Sequence, residues 1–470
     1  MISRRRDRFL SFADASAAEL AVPVRLDAAI PQVIPKPDEL TWWDWAVFLL
    51  HAAAEIEHAL LVQYLYAAYS LDTTGGTGDQ VPAGAAAKVG GWRRTIVTIA
   101  KEEMAHLLTE QNLLRFIGGP LTFERGDFPV HSQLYPFPLA LRPLTRTSLA
   151  TYVAAEMPAD PAVPDIGQIV ARATNAEGGV PVNRVGVLFD TLIGIFSDDT
   201  KLADADLRDQ TVPDQADAAH WHASGHLIVR TIANRSDAVS ALQAIADQGE
   251  GSTNPPPGAP ASHFDRFLGI YREFPETESV ADVPWQPTRP VPVNPNTAAM
   301  PDPDPVAERA RITDPVTLLW AQLFNVRYRM LLADLAHSLH MPGPFADASG
   351  NPTLRGQLCE DAFLQMRGEG FSGLNKLADT LTALPLKQTP GADGAGNAGP
   401  PFELPYTLAL TDDEHGRWRV HRALLDASRD LITNLRNQPG SPAAGQLLTE
   451  LDSIDAAWRT VVEAQLAVPG

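Results

Sequence analysis

The feature that most constrains the fold is a long segment, from Leu40 to about Leu71, that contains neither glycine nor proline. It is apolar almost throughout, and the glycine-rich sequence TTGGTGD follows it. Because glycine and proline are the residues that most often end helices, the segment predicts one long helix. Because nearly every face is apolar, we expect this helix to lie in the core, where its few charged side chains need partners.

The rest of the chain also favours helices, because runs of alternating β-branched residues are scarce. Further helices are predicted at about Ala85 to Ile117, Leu149 to Met157, Asn183 to Phe196, Asp237 to Gln248, 313–340, 353–384, 411–436 and 442–466. We therefore predict an all-α fold. Its predicted parts are an irregular segment 1–39, a metal-binding domain 40–274, a proline-rich linker 275–308 and a C-terminal helical domain 309–470.

The charge and the cysteine content restrict the partners and the metal ligands. The net charge is −20, from 37 basic and 57 acidic residues. Nucleic acids and anionic membranes are bound by basic surfaces, so the charge argues against both as partners. Cys359 is the only cysteine, which excludes an internal disulfide and a cysteine-based metal site. Any metal must therefore be bound by oxygen and nitrogen ligands.

No segment of the sequence indicates export or membrane insertion. The N-terminal sequence MISRRRDRFLSF is basic but has no apolar core of a secretory signal. The most apolar stretch, Trp45 to Ala54, is interrupted by His51 and followed by Glu55 and Glu57. We interpret it as too short and too polar to span a bilayer. A cytoplasmic location is the expectation by default.

The clearest chemical pattern is KEEMAH, residues 101–106, in the second predicted helix. Residues three apart lie on one helical face, so Glu103 and His106 are expected to point at one ion. This Glu-x-x-His spacing is found in di-metal carboxylate bundles. An isolated match is more often a surface pair, but apolar residues flank this one on both sides. A buried glutamate needs a compensating partner, and a metal ion is one.

The first predicted helix offers two candidate carboxylates. Glu55 and His58 have Glu-x-x-His spacing, and His51 lies one turn before them, whereas Glu57 lies on a different face. Periodicity cannot choose between Glu55 and Glu57, since nearly every face of this helix is apolar. The alternative for Glu55, His51 and His58 is a polar seam packed against another helix or a subunit.

Two glutamates at predicted helix ends are further candidates. Glu156 ends a helix just before Pro158, where a carboxylate meets an unfavourable helix dipole and should have a compensating partner. Glu250 lies between Gly249 and Gly251, which suggests a backbone bent to aim its side chain. The alternatives are a solvated Glu156 and an ordinary glycine cap with an exposed Glu250.

Histidines in the same half of the chain supply nitrogen ligands. His263 follows Ser262, a residue type that caps helices, and is therefore expected at a helix start. His220, His222 and His226 lie close together in AAHWHASGHL. We rank these three below His263, because a partly buried structural histidine is the more frequent outcome.

Together these segments resemble the ferritin-like domain family that includes the iminophenyl-pyruvate dimer synthases. Those bacterial enzymes couple imino forms of aromatic pyruvates on the way to violacein- and rebeccamycin-type bisindoles. The resemblance rests on residues 55–71, 99–120, 152–158, 236–252 and 262–271, and it is looser in the C-terminal half. It implies a ferritin-like helical bundle with a C-terminal helical region.

The resemblance also implies a ligand set. It favours Glu57 over Glu55, and the other implied ligands are Glu103, His106, Glu156, Glu250 and His263. Two departures stand out: Thr253 occupies the position three residues after Glu250 where a second Glu-x-x-His would place a histidine, and the segment 186–189 lacks the acidic residue of the family's Gly-Glu-x-Tyr-like element.

The activity implied by the resemblance is that of a non-haem iron oxidoreductase with one or two metal ions, for which Mn or Zn would also suit the ligands. Its substrate would be a small amino-acid-derived molecule of secondary metabolism, with dioxygen or peroxide, and a homo-oligomer is compatible with it. Tyr64 and Glu102 are the candidate catalytic residues. The alternatives are a non-catalytic metal-binding or structural partner of a biosynthetic complex, and a protein that binds haem non-covalently through a histidine.

Overall fold

The computed structural model describes residues 34–130, 132, 134–207, 214–218, 227–251, 260–276, 284–297, 309–367, 373–387, 396–404, 408–438 and 445–468. These residues are predominantly helical, which confirms the predicted all-α class. The chain divides into two compact units: a first unit of Met1–Leu121 and Pro129–Thr288, and a second unit of Thr122–Phe128 and Arg289–Gly470.

The described helices of the first unit are α1 (Trp42–Ser70), α2 (Ala85–Ile117), α3 (Arg146–Ala155), α4 (Ile166–Ala176), α5 (Gly186–Phe196), α6 (Arg235–Gly249) and α7 (His263–Glu273). The long helices α1 and α2 pack along each other and form the centre of this unit. A capping box between Thr41 and Asp44 begins α1. Gly118, in the left-handed region with φ 70°, ends α2 where the sequence predicts it.

Helix α1 extends well beyond the apolar stretch Trp45 to Ala54, which is by itself too short to span a bilayer. By length and composition alone the whole helix is long and apolar enough to cross one. In the structure, however, 67% of its most apolar window is buried inside the protein. That burial is typical of the core helix of a bundle.

Two other helices of the first unit differ from their predicted bounds. Helix α3 begins at Arg146, earlier than the predicted Leu149, and Thr145 provides its N-cap. It ends at Ala155, so Glu156 is its C-cap residue. Helix α5 begins at Gly186, later than the predicted Asn183.

Helix α4 was not predicted at all. Its 11 residues lie between a proline-rich segment and a pair of glycines, Gly178 and Gly179. The flanking proline and glycine residues predict a loop, so the short helix between them is not apparent from the sequence. This helix is amphipathic and buries Ile166, Ile169 and Ala173.

The described elements of the second unit are β1 (Pro295–Asn296), β2 (Ala310–Arg311), α8 (Pro315–His340), α9 (Leu354–Arg367), α10 (Leu374–Leu381), α11 (Glu414–Arg436) and α12 (Gly445–Leu466). The two short strands pair in parallel. Helix α8 packs against α9, α10 and α11, and α11 also packs against α12. The predicted single helix 353–384 is two helices, with residues 368–372 between them outside the described part.

The core of the second unit combines aromatic packing with one buried ion pair. Leu358, Trp418 and Trp458 belong to its hydrophobic cluster. Arg327 of α8 is ion-paired with Asp455 of α12, and both side chains are buried. The hydroxyl of Ser428 donates to the other carboxylate oxygen of Asp455 at 2.6 Å.

Candidate metal centre

Four helices of the first unit deliver buried carboxylates and imidazoles to one place. Five of the six predicted ligands form this cluster: Glu57 of α1, Glu103 and His106 of α2, Glu156 at the end of α3, and His263 at the start of α7. Each of them is at most 3% exposed. The Ser262 side chain accepts a hydrogen bond from the Asp265 backbone, which begins α7 and fixes the position of His263.

The five residues form two overlapping groups with metal-ligand geometry. One group is Glu57, Glu103 and His106, and the other is Glu103, Glu156 and His263. In each group the ligand atoms lie within 4.8 Å of one another. Glu103 is common to both, and one carboxylate shared by two ligand groups is the arrangement that holds two ions in a carboxylate bundle.

Individual distances show how tightly the site is built. Nδ1 of His106 lies 2.9 Å from Oε2 of Glu103 and 3.4 Å from Oε2 of Glu57. Nδ1 of His263 lies 3.0 Å from Oε1 of Glu103 and 3.7 Å from Oε2 of Glu156. The two imidazole rings stack at 5.7 Å between centroids.

Two of these atoms make no hydrogen bond to any described residue despite their proximity. Oε1 of Glu103 and Nδ1 of His263 are buried and lie 3.0 Å apart. A buried polar atom without a partner is costly. A cation between the ligands would satisfy both atoms, so the residues present fit a bound metal.

In both imidazoles the Nε2 atom, on the side away from Glu103, contacts a neighbouring side chain. Nε2 of His263 lies 3.1 Å from Oε2 of Glu102, and Arg266 is ion-paired with the same carboxylate. Nε2 of His106 lies 2.8 Å from the side-chain oxygen of Gln248. Such contacts orient an imidazole so that its other nitrogen faces the metal. Glu102, a predicted catalytic residue, therefore contacts the Nε2 side of the His263 ring, whereas Glu103 contacts the Nδ1 side.

Tyr64 and Glu156 form a second supporting contact. The Tyr64 hydroxyl donates to Oε1 of Glu156 at 2.5 Å, and its ring packs against Tyr152 and Phe267 at 4.9 and 4.8 Å between centroids. The carboxylate at the C-terminal end of α3 thus has the compensating partners that the helix dipole demands, namely this hydroxyl and His263. Tyr64 acts on the site through Glu156.

Glu250 is the sixth predicted ligand, and the structure places it differently. It lines the same small cavity, of about 20 Å³, but belongs to neither ligand group. Its two oxygens each accept a hydrogen bond from Nη2 of Arg184 at 2.7 Å. The prediction that Glu250 is aimed by the helix end is consistent with its position as C-cap of α6.

The other candidates lie away from the two ligand groups. Glu55 is partly exposed, and Nε2 of His51 is 2.8 Å from the carbonyl oxygen of Pro120. His58 is buried in α1 but is not in either group. Outside the described residues lie His220, His222, His226 and Thr253.

Sequence reasoning missed two charged residues at this site, Arg184 and Glu110. Glu110 is fully buried on α2, and neither of its oxygens has a hydrogen-bond partner among the residues that the structure describes. Burial, together with the charges of Glu57 and Glu103, raises its pKa well above the ordinary value. Its spacing of one turn after His106 could have revealed it. No local pattern marks Arg184.

The electrostatics of the metal-free site favour one carboxylate between two protonated imidazoles. Burial alone would lower the pKa of His106, but its hydrogen bonds to Glu103 and Glu57 outweigh burial and raise that pKa to about 10. Burial alone would raise the pKa of Glu103, but His263 and His106 hold it well below the ordinary value. Burial followed by the charge of Glu103 raises the pKa of Glu57.

These shifts predict a pH dependence for the metal-free protein. The pKa of His106 is higher in the folded state, so its contribution to stability is complete below the unfolded value of 6.5 and is lost as the pH rises through about 10. We expect the urea midpoint of chelator-treated protein to fall from pH 6.5 to pH 10, and to fall less in His106→Gln. Circular dichroism at several pH values measures it, and equal pH dependence in the two proteins would contradict the assignment.

With this geometry in place, the class of protein follows. Residues 50–272, a little under half of the chain, match the family model described as Ferritin-like. The resemblance predicted from the sequence is thereby confirmed at the level of the family. The matched segment contains all five clustered ligands.

Two curated relatives are similar to more of the chain. Dichlorochromopyrrolate synthase from Lentzea aerocolonigenes is 26% identical over 76% of this chain and 35% of its own length. The 2-imino-3-(indol-3-yl)propanoate dimerase from Chromobacterium violaceum is 26% identical over 61% of this chain and 28% of its own length. The chain thus spans about a third of these relatives. No solved structure matches it.

Proposed function

We propose that this protein is a non-haem iron oxidoreductase with a two-ion centre, acting on a small amino-acid-derived substrate in secondary metabolism. The observation that carries the proposal is the position of Glu103, a buried carboxylate shared by two groups of metal-ligating side chains. Oxygen and nitrogen ligands without thiolate suit iron, manganese or zinc, and the ferritin-like setting favours iron. A cytoplasmic location is part of the proposal.

The proposed roles divide between ligands and supporting residues. Glu57, Glu103 and His106 would hold one ion, and Glu103, Glu156 and His263 the other. Bound iron would supply one-electron chemistry toward dioxygen or peroxide. Glu102 and Gln248 orient the two imidazoles, and Tyr64 holds a proton on its hydroxyl next to Glu156.

The surroundings of the ligands support chemistry that needs restricted access of water. Leu60, Phe189 and Ile245 line the cavity beside the carboxylates. Apolar walls strengthen the electrostatic interactions of the charged groups between them. Burial and the charges of Glu57 and Glu103 raise the pKa of Glu110, one turn further along α2, which disfavours a further negative charge beside the ligands.

The substrate class comes from the relatives. One is named as a synthase of dichlorochromopyrrolate and the other as a dimerase of an indolyl imino acid, both small molecules. We extend to this chain only the class of molecule, an imino or oxo acid derived from an amino acid.

Elemental analysis with a UV–visible spectrum tests the metal. We expect about two iron atoms per chain after anaerobic reconstitution with Fe(II), and no Soret band. A Soret band would show bound haem and would contradict the proposed non-haem centre. Failure to bind any metal after reconstitution would overturn the proposal.

Oxygen consumption tests the reaction. The substrate would be imino acid generated in place from L-tryptophan or L-phenylalanine by an amino acid oxidase with catalase, and mass spectrometry would follow the product. We expect the product, and oxygen consumption beyond that of the oxidase and catalase alone, to depend on the iron-loaded protein and to be absent in Glu103→Ala. Full metal loading without turnover of any imino or oxo acid would instead favour the non-catalytic metal-binding role.

A further inference from the structure

The pair of Arg184 with Glu250, a residue that lines the cavity beside the ligand groups, is a feature that metal binding alone does not explain. Nε of Arg184 donates to the carbonyl oxygen of Met157 at 2.8 Å, while Nη2 contacts both oxygens of Glu250 at 2.7 Å. The first contact fixes the plane of the guanidinium independently of Glu250. The group is therefore preorganised to receive a carboxylate.

The two partners differ in depth. The side chain of Arg184 is 4% exposed and that of Glu250 is 15% exposed, so the carboxylate lies nearer the solvent. A buried guanidinium is costly when it has no anionic partner. If a ligand carboxylate displaces the Glu250 carboxylate from Arg184, the guanidinium keeps an anionic partner.

The backbone around Glu250 affects the position of its carboxylate. A Cβ atom at Gly186 would lie 2.0 Å from Oε1 of Glu250, so a larger residue at that position would force the end of the Glu250 side chain to shift. Glu250 is the C-cap residue of α6, where the helix dipole disfavours a negative charge, and Gly251 follows in the left-handed region with φ 97°. The pair is thus specific in geometry, and its carboxylate lies at the C-terminal end of α6.

From these observations we infer that Arg184 is the binding group for the carboxylate of the substrate, and that Glu250 occupies its place in the metal-free, ligand-free protein. The inference rests on the proposed function for the identity of the ligand, a 2-imino or 2-oxo acid with an apolar side chain. The substrate name of one relative contains such a carboxylate, a propanoate. Val185 and Phe189 of the same segment offer apolar surface for the rest of the molecule.

The inference also explains the small volume of the cavity. A volume of about 20 Å³ holds little more than one water molecule. A substrate therefore fits only when the Glu250 side chain moves out of the cavity lining. Displacement of Glu250 by the incoming carboxylate opens that space and releases the Glu250 carboxylate beside the metal ligands. Arg184 is a substrate-binding residue in this assignment, and Gly186 is a positioning residue.

Isothermal titration on the chelator-treated protein tests the assignment without any metal. The probe is indole-3-propionate, and its neutral analogue is the corresponding alcohol, indole-3-propanol. We expect Arg184→Gln to weaken binding of the acid about tenfold or more, with little change for the alcohol. Arg184→Lys, which keeps the charge but loses the planar fork, is expected to lie between Arg184→Gln and the wild type.

Glu250→Gln distinguishes a substrate-binding role of Arg184 from a purely structural ion pair. It removes the competing charge, so we expect the acid to bind several-fold more tightly than to the wild type. The matched control is Arg142→Gln, which breaks the comparable pair with Glu177 elsewhere in the first unit and should leave binding of the acid unchanged.

Several results would overturn the assignment. They are equal affinity of the acid for wild type and both Arg184 variants, no gain in Glu250→Gln, or no binding of the acid to the wild type. Far-UV circular dichroism identifies variants that fail to fold, and Arg184→Lys then decides the question. Failure to bind iron would overturn the proposed function separately, because this titration contains no metal.

Discussion

Glu103→Ala is expected to remove both ions, reducing the iron content of reconstituted protein to less than about one tenth of that of the wild type. The reason is that Glu103 is the only residue common to the two ligand groups of the described structure. Losing Glu57 or Glu156 leaves one group intact, so Glu57→Ala and Glu156→Ala should each retain about half of the iron. Inductively coupled plasma mass spectrometry on desalted protein measures these contents.

Glu55→Ala is the matched control for this experiment. Glu55 lies on the same helix as Glu57, is partly exposed and belongs to neither ligand group. Its replacement should leave the iron content largely intact. The opposite result, with loss in Glu55→Ala and retention in Glu103→Ala, would mean that the metal binds to another face of α1. Glu103→Gln preserves the side-chain volume and separates loss of the ligand from loss of packing.

Arg327→Met is expected to destabilise the second unit by about 3–5 kcal/mol, because it leaves the buried carboxylate of Asp455 without its cation. The Ser428 hydroxyl, which donates to Asp455, compensates only part of the charge. Amide hydrogen exchange in peptides of α8, α11 and α12 reports on this unit alone. We expect exchange in these three helices to accelerate strongly while exchange in α1 and α2 is unchanged.

Two further variants show whether burial of the charge is the cause. Arg436 and Asp452 form an ion pair between α11 and α12 whose side chains are 41% and 40% exposed, and Arg436→Met should cost less than about 1 kcal/mol. The double variant of Arg327→Met with Asp455→Leu removes both charges and should recover most of the lost stability. A loss in the double variant as large as in Arg327→Met would assign the effect to packing of the arginine stem.

The helices could be predicted because their causes are local. The absence of glycine and proline between Leu40 and Leu71 and the glycines that follow residue 117 set the limits of α1 and α2 within a few residues. Prediction failed where the local pattern was weak, as in α4 between proline and glycine residues. It also failed in 353–384, where the pattern does not show that the segment divides into α9 and α10.

The candidate site could be predicted only in part. The spacing of Glu103 and His106 placed both on one helical face, and the structure has them in one ligand group. Periodicity left Glu55 and Glu57 equivalent, and the resemblance to the family, not the pattern, favoured Glu57. The pairing of Glu250 with Arg184 joins residues 66 positions apart, and no periodicity relates them.

The sequence by itself determined which segments form helices and which side chains of a given helix lie on one face, since both depend on residues within a few positions of each other. Only the tertiary structure decided which faces meet. The packing of α1 against α2, and the positions of the end of α3 and the start of α7, bring Glu57, Glu156 and His263 to Glu103. The physical reason is that these contacts join segments distant along the chain, and their geometry depends on how whole helices pack.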